Sequence, residues 1–243
     1  MANPILNENN FNTAERVYEG SAMTINGTIQ ITAFLGMLLI CAATFVWSRL
    51  SAGYTDLGMM LMSGGAIIGF ILALIIAFTR NKYLVPIYAV CEGCALGGIS
   101  AIFEQQFPGI VVQSVAGTFA ALFSMLILYR MNIIRCTDKF RSVIFIATLS
   151  IMGVYLVDLI GRWLLHMQVP LINSASPAGI LISIVIVCIA ALNLIIDFDF
   201  IENGERMMYP KDYEWYGAFG LMVTLVWLYL EILKLLSKIY SRR

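Results

Sequence analysis

Five acidic residues and one basic residue stand in stretches that are otherwise apolar, and these are the positions at which the chain could do chemistry. The stretch LNLIIDFDFIENGE, residues 192–205, ends a hydrophobic run in Asp197 and Asp199. Glu231 lies within VTLVWLYLEILKLLSKI, Glu92 within YAVCEGCALGGIS, and Asp158 and Arg162 stand four apart in a further run. A charge at the centre of a membrane helix costs ~2.5–3.5 kcal/mol or more, so each of these residues needs a partner or a task. Two close carboxylates cannot both ionise cheaply. They titrate as a coupled pair, and once ionised they offer oxygens to a hard cation.

Each position also has a purely structural role open to it. Asp197 is about 28 Å from a helix start at Ala178 and can be a solvated helix end, unless the helix runs on and buries it. Asp199 is then its solvated neighbour. Glu231 has Lys234 three residues later, the spacing of an intrahelical pair, and Asp158 and Arg162 have the i, i+4 spacing of another. Glu92 has no basic neighbour within one turn. It either meets a partner from another helix, carries a proton, or lines an ion path.

No catalytic set assembles from these residues. Ser100 in GGIS lacks a second glycine after it, and the only histidine, His166, is not placed in a span as its base. Asp197 and Asp199 on one helix do not make the paired aspartates of a membrane protease. Cys91 and Cys94 have metal-ligand spacing but lie inside a hydrophobic segment. The chain is read as a non-enzyme with no cofactor and no zinc or redox centre.

The elements that must position these charges follow from composition. The 243 residues are 60% hydrophobic and 12% charged, against ~45–50% and ~25% in soluble domains, which makes this an integral membrane protein. Net charge is zero, so nothing electrostatic favours nucleic acid. Seven runs are long enough to cross a hydrocarbon core of ~30 Å, at 29–48, 57–79, 84–103, 110–129, 142–165, 178–197 and 215–236. They are too long, and lack the alternation, to be barrel strands. The expected fold is an all-α bundle of seven transmembrane helices over residues 29–243. A polar tail, 1–28, precedes it and lacks the basic start and short apolar core of a signal peptide. Four of the five cysteines lie in apolar runs, which argues against a disulfide framework. Gly65-xxx-Gly69 and Gly93-xxx-Gly97 predict close helix crossings.

Lysine and arginine set the orientation. Arg80, Lys82, Arg130, Arg135, Lys139, Arg141, Arg206 and Lys211 fall on the side of the tail, so the N-terminus is expected in the cytoplasm. Seven full crossings then place Lys234, Lys238, Arg242 and Arg243 outside, whereas a re-entrant last segment would return them. Seven crossings are the reading adopted.

Four motifs, in order, resemble the Bax inhibitor-1 family (transmembrane Bax inhibitor motif proteins) and most closely its bacterial membrane branch. They are Met23-Thr24-Ile25-Asn26-Gly27-Thr28 before the first span, Tyr88-Ala-Val-Cys-Glu92-Gly93-Cys-Ala-Leu-Gly97 in the third, Asp197-Phe-Asp199-Phe-Ile201 ending the sixth, and Leu228-Tyr229-Leu230-Glu231 in the last. The resemblance implies a seven-helix bundle with a central last helix. It also implies a proton-sharing acidic pair from the last two spans, here Asp197 and Glu231, with Asp199 beside the first. A basic latch at the end of the second span, Arg80, belongs to the same pattern. The implied function is a pH-sensitive calcium or cation leak in a bacterial cytoplasmic membrane, with calcium held transiently by the pair. The alternative is an interaction protein that modulates a membrane-bound ATP-dependent protease. The departures are Glu in place of the usual Asp at 231, Lys234 where an amide is common, and the long connection ENGERMMYPKDYEWY. Neither the oligomeric state nor the permeant ion follows from the sequence.

Overall fold

With no water in a bilayer core, an apolar run must satisfy its own backbone, and each of the seven runs folds as one continuous helix. The computed structural model describes residues 22–164 and 174–242. The helices are α1 (Ile25–Ser51), α2 (Thr55–Thr79), α3 (Leu84–Gln106), α4 (Ile110–Arg130), α5 (Asp138–Leu164), α6 (Pro177–Arg206) and α7 (Tyr213–Tyr240). All seven are long and apolar enough to cross a membrane. Among the described residues the only extended pairing is a single antiparallel bridge between Ala22 and Pro210.

Local chemistry sets the helix ends. Thr24 caps α1, its Oγ1 accepting from the Gly27 N–H at 3.0 Å. Ser176 caps α6, its Oγ accepting from the Gly179 N–H at 3.1 Å, with Pro177 at the first helical position, where its missing N–H costs nothing. Two expectations change at these ends. The bundle begins at Ile25, so the boundary of the polar segment moves back from residue 28. Residues 1–21 of that segment, and His166, lie outside the described residues. The sixth helix runs on past Asp197 to Arg206. The last helix is 28 residues without a break, about 42 Å, which is long enough for the full crossing adopted from the sequence.

Small residues set the crossings. α3 is the most enclosed span and lies between α1 and α2. Gly97 faces the α1 backbone, where a Cβ would sit 2.7 Å from Ala43 Cα, and Gly93 packs on Leu39 and Ala42. From the other side Gly65 of α2 meets Cys94, and Gly69 meets Glu92. α7 packs on α1, α3, α4 and α6, while among the described helices the backbone of α5 packs only on α6. Large apolar side chains such as Phe78, Met60, Val112 and Phe70 point outward, as suits helices facing hydrocarbon. All five cysteines are free thiols.

Candidate functional site along the last helix

The run-on of α6 carries Asp197 inside the bundle, against α7. Its Oδ1 lies 3.7 Å from where a Cβ on Gly220 would stand, and the buried side chain of Thr224 faces its carboxyl. Its Oδ2 is buried with no hydrogen-bond partner among the described residues. Such a group forgoes a solvation that normally has to be replaced, and native structures leave few of them.

Glu231 is 2% exposed, among the most buried polar residues described. Both of its oxygens are engaged. Oε1 accepts from Lys234 Nζ at 3.1 Å and Oε2 from the Tyr155 hydroxyl of α5 at 2.8 Å. Lys234 also sits 4.6 Å from the centre of the Tyr155 ring, so one tyrosine holds both members of the pair.

Asp197 and Glu231 are therefore not brought together. A shared proton needs a direct hydrogen bond, and Asp197 Oδ2 has none, while the oxygens of Glu231 are held by Lys234 and Tyr155. Asp197 contacts α7 at Gly220 and Thr224, and Glu231 lies about two turns further along. The cause is the early start of α7 at Tyr213, which carries Glu231 past the level of Asp197 and alongside earlier turns of α6. In this arrangement the two do not jointly offer the oxygens at ~2.3–2.6 Å that a calcium ion requires.

The remaining candidates are spread through the bundle. Asp199 pairs with Arg141 of α5 at 2.7 Å, and its side chain is 16% exposed. Asp158 and Arg162 lie 2.8 Å apart along α5. Glu92 faces Gly69 at the α2–α3 contact. Arg80, in the left-handed conformation that ends α2, does not reach either carboxylate. It donates to the Tyr213 hydroxyl at 2.8 Å and stacks over the rings of Tyr213 and Tyr216, joining the end of α2 to the start of α7. Lys82 adds an ion pair with Asp212 at 2.7 Å at the same junction.

A second carboxylate cluster appears where the sequence reading saw only a long connection. Glu214 is 3% exposed, and its Oε1 accepts from Thr24 N at 3.0 Å and Thr24 Oγ1 at 2.9 Å. Glu205 accepts from Ile25 N at 3.0 Å. Gly27 lies directly over the Glu214 carboxyl, and Met23 is buried against Gly204 and Gly217. The Met23–Thr28 motif is thus the start of α1, clamped to the ends of α6 and α7. Part of the signal was present in the sequence: an N-cap threonine and a glycine three residues on. What was missing was the knowledge that α1 starts beside Glu205 and Glu214.

Seven membrane-length helices whose last two each bury a carboxylate within the bundle define a polytopic helical membrane protein. A family model described as Bax inhibitor 1 like matches residues 3–241, and the chain belongs to that family. No curated protein matches it.

Proposed function

We propose that this protein is a cation leak whose two carboxylate stations, Asp197 and Glu231, lie at successive levels along α7, with calcium as a permeant ion. The observation that carries the reading is the buried, unpartnered Oδ2 of Asp197 at the α6–α7 contact. An ionised Asp197 would place an uncompensated charge between two packed helices, so loss of its proton is linked to their separation and to entry of water and a cation. Higher pH favours the ionised, separated form. Glu231 is the second station, and its bonds to Lys234 and Tyr155 close it. Support comes from family membership, from the burial of both acids, and from their placement on adjacent helices. Calcium uptake by liposomes carrying the purified chain, measured from about pH 5 to about pH 8, tests it. Flux should rise with pH. Asp197→Asn should be low and flat with pH, and Glu231→Gln should alter the flux. Flux that ignores both substitutions would assign the path to other residues, with Glu92 next.

A second reading is favoured by the clamp. A partner that grips residues 1–21 would act through Thr24 and Ile25 directly on the ends of α6 and α7, as an interaction protein controlling a membrane-bound ATP-dependent protease would require. Deletion of residues 1–21 should abolish partner control and leave ion flux intact.

A further inference from the structure

An apolar groove of ≈ 390 Å³ lies between α1 and α4, with α3 and α7 as its floor. Among the described helices the backbones of α1 and α4 make no contact with each other, so the groove opens sideways between two helices of membrane-spanning length. Ile40 and Phe119, both exposed, stand at its rim. Along α1 it runs from Thr32 to Trp47, about 22 Å. Neither the proposed leak nor the clamp at the start of α1 uses it.

A glycine makes the room. A Cβ on Gly36 would meet nothing within 4 Å, so this part of the groove is open space beside α1. The polar groups of the wall are largely spent. The hydroxyls of Thr32, Thr44 and Thr118 donate to carbonyls of their own helices, those of Thr28, Ile40 and Ser114, at 2.8, 2.9 and 2.8 Å. On the floor, Ser100 and Tyr229 hydrogen-bond to each other at 2.6 Å. Packed interiors leave few voids larger than a water, and an apolar one stays dry and takes up apolar molecules. Spread along its length, the volume is a bore about 5 Å wide. That is too narrow for a helix of ~10–12 Å diameter and suits a single extended hydrocarbon chain. At this depth the surrounding medium is itself lipid hydrocarbon.

We infer that the groove is a binding site for one acyl chain of a phospholipid, taken in sideways from the bilayer. The acyl chain lies between α1 and α4 and rests on Met222 and Val226 of α7. Bulk lipid is as apolar as the groove, so retention comes from close packing around the acyl chain and not from the hydrophobic effect. The site stands whether or not the protein conducts ions.

Two measurements on the full-length protein test the assignment. In the first, protein is released from phosphatidylethanolamine–phosphatidylglycerol nanodiscs into neutral detergent and weighed by native mass spectrometry. Wild type should retain one phospholipid per protein. Gly36→Leu puts a side chain into the groove without striking a neighbour, and retention should fall roughly fivefold or more. Gly153→Leu is the matched control, since a Cβ there also meets nothing within 4 Å but lies on α5, away from the groove, and it should retain lipid as wild type does. The second measurement needs no change to the groove's shape at Gly36. Phospholipid with brominated acyl chains, titrated into wild type in detergent, should quench a saturable part of the tryptophan fluorescence, and Trp47→Phe should remove that part. One retained phospholipid with this pattern supports the site. No retained lipid, equal retention in wild type and Gly36→Leu, equal loss in Gly153→Leu, quenching that ignores Trp47→Phe, or a retained mass that is not a phospholipid overturns it.

Discussion

Gly27→Ala should destabilise the protein, yet stabilise it once Glu214 is gone. A Cβ at residue 27 would fall on the Glu214 carboxyl, which is 3% exposed and has to retreat. Retreat breaks the two bonds from Thr24 N and Oγ1. Hydrogen bonds to a charged group are worth ~1.5–3 kcal/mol each when buried, and Thr24 is itself exposed, so the pair together is set at about 2–3 kcal/mol. Replacing glycine by alanine in a helix returns up to ~1 kcal/mol. The single variant should therefore lose about 1–2 kcal/mol. In a Glu214→Ala background the clash is absent, and Gly27→Ala should gain up to ~1 kcal/mol. The coupling of about 2–3 kcal/mol is well above the ~0.3–0.5 kcal/mol error of additivity, so a double-mutant cycle by equilibrium unfolding in mixed micelles resolves it. An effect of Gly27→Ala that is equal in the two backgrounds would refute the clamp.

Other substitutions probe other contacts. Gly97→Leu, whose Cβ would meet the α1 backbone at Ala43, should cost at least ~1–3 kcal/mol or prevent assembly, read as lost folded protein in the same titration. Tyr155→Phe removes the donor to the 2%-exposed Glu231 and should cost about 1.5–3 kcal/mol while altering any flux through that station. Arg80→Ala should cost about 1–2 kcal/mol from one hydrogen bond and two ring contacts, and Arg80→Lys should recover only part of it. The Asp212 hydrogen bond raises the pKa of Lys82. Whatever stability this adds is present below the unfolded value of ~10.4 and lost as pH rises through the folded one, so wild type and Lys82→Gln should converge in unfolding titrations at high pH.

Hydropathy alone determined the membrane class, the number of spans and most of their limits. The cost of exposing polar backbone or burying charge in lipid is large enough to be written into every run, and the third run, read as 84–103, is a helix over Leu84–Gln106. Glycine spacing likewise marked α2 and α3 as places of close crossing, because only a missing Cβ admits a neighbouring backbone, but the structure supplied α1 as a partner. Beyond the apolar runs this determinacy fails. The last turns of α6 are polar, and they remain helical because Glu202 meets Tyr129, Asp199 meets Arg141 and Glu205 holds Ile25, all contacts from distant parts of the chain. That extension buried Asp197, and the early start of α7 moved Glu231 out of its reach. The clamp of Glu214 on Thr24, 190 residues apart in sequence, has the same origin. Helix periodicity fixes which side chains share a face, but the axial offset between two packed helices is set by their ends and loops, and so only the tertiary structure decided which carboxylates meet.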